Sequence, residues 1–180
     1  MEENRSGRSA AAKDCGKAID TGVKDPNVYR CRGFALVKMG QADKSIPDYD
    51  QSVALEPQNP IAYFLRANAY SDFGQCATAL PDYIKAITLD GTQIGFYTKL
   101  ADCYLSQNDG PNALDTYSKA IELSPKNLTL YELRGLAEIK LGSLYRGWRD
   151  IAVSNILPTK QFQNEITLSF DAFEKSIDRE

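Results

Sequence analysis

Apolar positions along the chain fall into stretches with helical spacing, and the stretches come in pairs. One pair reads Tyr63, Ala67, Tyr70 and then Ala79, Leu80, Tyr83, Ala86, Ile87, spacings of three and four that put the side chains on one face of a helix. The pairs recur at a fixed offset of 34 residues. Tyr29, Tyr63, Tyr97 and Tyr131 mark one register, Gly40, Gly74, Asn108 and Gly142 a second, and Leu55, Leu89, Leu123 and Leu157 a third. Small residues hold two more registers, Gly33, Ala67, Ala101, Gly135 and Ala35, Ala69, Cys103, Ala137, as expected where helices approach closely. The glycine register falls between the two helices of each pair, where a left-handed residue ends the first helix, and Asn108 is the non-glycine type that best tolerates that conformation. Pro57 and Pro125 close the second helices of their units, with Gly91 in that role between them. Pro47 and Pro81 share a register inside the second helices of the first two units, where a missing amide donor predicts kinks or late starts.

This arrangement resembles the tetratricopeptide repeat family. The family's first-helix pattern appears as Tyr63, Arg66, Ala67, Tyr70 and as Tyr97, Leu100, Ala101, Tyr104; its second-helix pattern appears as Ala113, Tyr117, Ala120, Pro125. The resemblance implies an all-α fold, a right-handed α-solenoid of antiparallel helix pairs with a C-terminal capping helix. Its full units are 26–59, 60–93 and 94–127, and 128–161 is a degenerate unit with Glu138, Gly147, Ile151 and Thr159 at departing positions. Residues 9–25 read as the second helix of a half repeat, because Ala11, Cys15 and Ala18 share registers with Ala113, Tyr117 and Ala120. Residues 1–8 are expected to be a disordered tail before a single domain over 9–178. The chain's beginning is compatible with loss of a targeting segment or with excision from a longer protein. Phe162, Ile166, Phe170, Phe173 and Ile177 form one amphipathic face over 160–178, the expected cap, which alternatively seats on a partner or a second copy. Arg32, Arg66 and Arg134 stand where the family has leucine, and their stems are expected to line the interface while their heads reach water. Asp48 and Asp82, beside Tyr49 and Tyr83, read as solvated helix faces.

Composition narrows the function. With 43% apolar and 25% charged residues, the 180-residue chain has the make-up of a soluble globular domain, and no stretch approaches the ~18–20 apolar residues of a membrane-spanning helix. Lys and Arg number 21 against 24 Asp and Glu, a net charge of −3 with no basic run, which argues against nucleic acid. There is no histidine, so the commonest general base and metal ligand are missing; no cofactor, no metal and no catalysis are expected. Two glycosylation sequons, at Asn4 and Asn127, are short enough to arise by chance.

By resemblance, the first helices line a concave surface that binds another protein or a peptide. The groove-facing registers include Arg30, Phe34, Ile61, Phe64, Leu65, Asn68, Lys99, Asp102 and Glu132. Phe34, Phe64 and Leu65 are expected to hold apolar anchors, with Arg30, Asn68, Lys99 and Asp102 fixing polarity. The clamp by which the family holds the carboxylate tails of Hsp70 and Hsp90 needs Lys, Asn, Asn, Lys and Arg. Its registers hold Arg30, Phe34, Leu65, Gly95, Lys99 or Phe64, Asn68, Lys99, Thr129, Leu133, so that role is disfavoured. Under the repeat arrangement, Cys15 with Cys31 and Cys76 with Cys103 face each other across equivalent helix interfaces, which makes them candidate disulfides. A reduced thiol at Cys103 is equally adequate, since that register otherwise holds alanine. Paired cysteines imply a periplasmic or secreted protein, reduced ones a cytoplasmic one. The function expected is a noncatalytic interaction module; the alternatives are a structural unit assembling with itself, for instance through the C-terminal helix, and a regulatory repeat domain cut from a larger enzyme.

Overall fold

The computed structural model describes residues 2–143 together with Gly147, Asp150 and Ile151. Among the described residues there are eight helices and no strand: α1 (Glu2–Asp20), α2 (Pro26–Lys38), α3 (Ala42–Leu55), α4 (Pro60–Asp72), α5 (Cys76–Leu89), α6 (Ile94–Ser106), α7 (Gly110–Leu123) and α8 (Leu128–Lys140). The architecture is an all-α solenoid of helix pairs. The expected capping helix over 160–178 lies outside the described residues.

Local chemistry sets the helix ends. Asp25 and Asn59 accept the amides of Asn27 and Ile61, each followed by proline at the first helical turn, and Asp109 accepts the amide of Asn112; a side-chain acceptor there satisfies a donor the helix itself leaves unbonded. First helices end on left-handed residues at Gly40, Gly74, Gly142 and Asn108, the last at φ 59°, as the 34-residue register predicts. Pro47 and Pro81 lie inside α3 and α5, which begin at Ala42 and Cys76, the same register at which α7 begins at Gly110. The expected late starts do not occur: each proline sits in the first turn and a half, and forfeits one bond to the residue four before it. Helix α1 reaches back to Glu2, through residues expected to be a tail; Glu and Arg side chains and the following alanine run favour helix there.

The helices group into two compact units, 1–107 and 108–180, where the sequence predicts a single domain. Repeat stacks hold each element mainly to its neighbours, so no linker is needed for such a division. In the first unit α1 to α6 each contact the next, and the first helices α2 with α4 and α4 with α6 also touch. Its core is Ala67, Cys76, Ala79, Tyr83, Leu100 and Cys103, flanked by Phe64, Tyr70, Leu80, Ile87 and Tyr104. In the second unit α7 packs on α8, burying Tyr117, Ile121, Leu130 and Ala137. Burial of each large side chain contributes roughly 1.5–3 kcal/mol. The tyrosine register closes the turns: the Tyr63, Tyr97 and Tyr131 hydroxyls donate to the carbonyls of Pro57, Gly91 and Pro125, at 3.1, 3.0 and 3.2 Å.

Candidate functional site

Contact of α2 with α4 and of α4 with α6 brings three first helices side by side in the first unit. On them Phe34 is 52% exposed and carries the Lys38 ammonium 5.3 Å above its ring. Ile61 is exposed, Leu65 half-buried, and Asp72, Lys99 and Asp102 exposed. Phe64 has a different setting. Its ring lies 4.6 Å from that of buried Phe96 and 5.9 Å from that of Tyr83, so it joins repeats and presents only part of its surface. Asn68 Oδ1 accepts the Tyr83 hydroxyl at 2.8 Å, which orients the amide and leaves its nitrogen as the donor. Glu132 and Leu136 are exposed on α8 of the second unit.

Arg30 is engaged internally. Its guanidinium donates to Glu56 Oε2 at 2.6 Å, Ser52 Oγ at 3.0 Å and Asn27 Oδ1 at 2.7 Å. The Arg30 hydrogen bond, helped by Asn59, holds the Glu56 carboxyl below its ordinary value. A shallow hollow of about 480 Å³ at the α3–α4 turn is lined by Glu56, Pro57, Gln58, Asn59 and Pro60, none of them a predicted groove residue.

The sequence reading of the arginines and aspartates is corrected by a recurring buried pair. Arg32 Nε donates to Asp48 at 2.9 Å, Arg66 Nε to Asp82 at 2.7 Å and Arg134 Nε to Asp150 at 2.6 Å, each sixteen residues on and each backed by a second guanidinium bond. Asp48 is 2% exposed and Asp82 8%, so these carboxylates are not solvated faces and the arginine heads are not turned to water. The fork geometry suits carboxylate, and the three arginines all stay more basic than usual. For Arg32 and Arg66 the aspartate hydrogen bond leads; for Arg134 burial pulls downward, and Asp150 by hydrogen bond and charge more than offsets it. Arg66 also bonds Asp50 at 2.9 Å and Arg134 bonds Ser118 at 2.9 Å, so each ties the second helix of the preceding repeat as well. The signal was in the sequence: in the third repeat both registers change together, to Leu100 and Thr116.

The cysteines pair as the repeat arrangement anticipates. Cys15 and Cys31 join α1 to α2 with Cα atoms 6.3 Å apart, and Cys76 and Cys103 join α5 to α6 with Cα atoms 5.1 Å apart. Among the described residues no group of three His, Cys, Asp or Glu is placed to hold a metal ion, and no helix is long and apolar enough to cross a membrane.

A family profile described as TPR repeat matches residues 33–74, and one described as Tetratricopeptide repeat matches residues 66–128. The chain belongs to the tetratricopeptide repeat family. The two matches cover the repeats that carry α3 to α7, and the helix pairs extend the tetratricopeptide pattern on both sides. None of the curated proteins matches the chain. Among solved structures it is similar to MamA at 19% identity and TM-score 0.77, over 85% of this chain and 90% of that one. It is similar to MamA residues 41 to the end from Desulfovibrio magneticus RS-1 at 16% identity and TM-score 0.77, over 84% and 85%. The first TPR of Spaghetti (RPAP3), bound to the HSP90 peptide SRMEEVD, matches at 24% identity and TM-score 0.61, over 66% of this chain and 94% of that one. These likenesses show the tetratricopeptide fold.

Proposed function

We propose that this tetratricopeptide repeat chain is a noncatalytic protein-interaction module whose first unit takes a peptide or partner helix on the joined faces of α2, α4 and α6. The observation that carries the reading is the exposure of Phe34 on α2 and Ile61 on α4, two helices in contact, with Leu65 half-buried and the Asn68 amide on α4 oriented by Tyr83. An oriented amide is suited to a peptide backbone, and exposed apolar side chains on the same helices to holding its side-chain anchors. Lys99 and Asp102 are exposed charges of opposite sign on the neighbouring helix, suited to selecting polarity.

The RPAP3 domain is bound to a peptide ending in carboxylates. In this chain one set of corresponding registers is Arg30, Phe34, Leu65, Gly95 and Lys99, and Arg30 is already bonded to Glu56. The preferred ligand is therefore of a different chemistry, and titration with SRMEEVD is expected to show no saturable binding. To test the main reading, the partner is captured from the source cells and identified by mass spectrometry. Binding of its minimal segment is then measured for Phe34→Ala and Lys99→Ala. Each is expected to weaken binding about tenfold or more with unchanged helical content; unaltered affinity in both moves the site off this face. Phe64→Ala is a poorer probe, because it also removes the contact with Phe96. Self-association through residues 160–178 is a separate reading, tested by light scattering over a dilution series.

A further inference from the structure

The two cysteine pairs sit in opposite surroundings. Cys76 and Cys103 belong to the core cluster, 9% and 0% exposed. Cys31 is exposed and Cys15 half-buried. Their helices differ in the same way. Among its described side chains α1 has none fully buried; only Ala12, Cys15, Gly16, Ala18 and Ile19 are partly covered. Helices α5 and α6, by contrast, bury Ala79, Tyr83, Ala86, Phe96, Leu100 and Ala101. Helix α1 lies against α2 at ordinary van der Waals distance, a side-chain carbon placed on Gly16 meeting the Arg32 Cδ at 3.8 Å, but the contact seals none of its described side chains from water. Most of a helix's stability in a protein comes from an apolar face packed in a core, and α1 has little of that to draw on.

We infer that Cys15–Cys31 is a thiol–disulfide exchange site, a covalent latch that holds α1 on the first unit and is opened by dithiol reductants, while Cys76–Cys103 is a structural bond closed to them. The step is an in-line attack by an external thiolate on the sulfur of Cys31, the more exposed residue of the pair. The bond to Cys15 breaks, Cys15 leaves as thiolate and takes up a proton, and a mixed disulfide joins Cys31 to the reductant. The reductant's second thiolate then attacks that mixed disulfide and releases Cys31, so the reductant is oxidised to its disulfide and the two protein thiols are the reduced product. Access to sulfur controls the rate of such exchange. Once open, α1 has little buried surface to keep it in place and frays, uncovering the outer side of α2. The core pair remains, so the repeats from α3 to α6 keep their packing.

The test uses the full chain, oxidised with glutathione disulfide and then exposed to dithiothreitol without denaturant, with alkylation and peptide mass mapping over time. Cys15 and Cys31 are expected to be alkylated first, with Cys76 and Cys103 labelled only after denaturation. In parallel, hydrogen exchange is expected to show loss of protection over 9–20 on reduction, unchanged protection over 76–103, and the same loss without reductant in Cys31→Ser. Four free thiols after oxidation, equal or reversed order of reduction, or undiminished protection of 9–20 after selective opening each overturns the inference. None of these readouts involves a binding partner, so its failure leaves the groove reading standing.

Discussion

The Arg32–Asp48 pair shows how strongly one side chain's fate depends on another sixteen residues away. Asp48 is sealed from water on α3, so its charge is tolerable only because Arg32 bonds both oxygens. Arg32→Leu is expected to cost about 3–5 kcal/mol in urea unfolding, since it leaves an unpaired carboxylate in the interior. Arg32→Leu with Asp48→Thr, the combination at the Leu100 and Thr116 registers, is expected to return to within about 1 kcal/mol of the parent, and an additive double variant would show that the pair is not coupled. None of this could be read from helical periodicity. An aspartate one residue before an inward tyrosine sits at the edge of a helix face, where pattern cannot distinguish solvent from a neighbouring repeat. The simultaneous replacement of both partners in the third repeat was the available clue, and it requires comparing registers in pairs. Of the residues expected to face a groove, Phe34, Ile61 and Lys99 are exposed, whereas Arg30 and Phe64 are engaged by partners that sequence spacing does not show. For Glu56 the folded carboxyl is held below its ordinary value of 4.5 by Arg30. The stability it contributes is therefore fully present above the ordinary value and is lost as pH falls through the lower, folded one. In carbon-13 titration Glu56 is expected to titrate below its ordinary value, and Arg30→Met to raise it while the Asn59 bond remains.

At the scale of helices, spacing between elements is set by what occupies the small-residue register. A side-chain carbon at Gly135 would meet the Gly147 carbonyl oxygen at 2.6 Å, and one at Gly33 would meet the Tyr49 ring at 2.9 Å. Gly147 reads from sequence as decay of the fourth unit. Its closeness to Gly135 shows instead that α8 and the segment after it approach by backbone, with no room for the alanine that the second and third repeats carry at these registers. Alanine in a helix gains up to ~1 kcal/mol over glycine, so the sign of a substitution depends on whether the neighbour gives. Gly135→Ala faces main chain and is expected to lose about 2 kcal/mol or more net; Gly33→Ala faces a ring and is expected to lose less, about 1 kcal/mol. Thermal unfolding of the two variants checks the order. The element boundaries themselves were legible, because caps, prolines and the left-handed register are local chemistry. The extent of α1 was not, because nothing in residues 2–8 repeats.

For the molecule as a whole, all four cysteines fall in the first unit, and the described helices of the second are α7 and α8. Hydrogen exchange over 26–106 and over 110–140 therefore follows the two units separately. Complete reduction is expected to lower the urea midpoint of the first stretch and to leave that of the second in place; coincident curves that shift together would mean that the chain unfolds as one cooperative body. A last consequence concerns how such a chain can lengthen. At Tyr63, Tyr97 and Tyr131 the hydroxyl bonds the carbonyl six positions earlier, fastening the entrance of one repeat to the exit of the previous one. Donor and acceptor lie within one short stretch of chain, so a duplicated repeat arrives with its own fastening already in place.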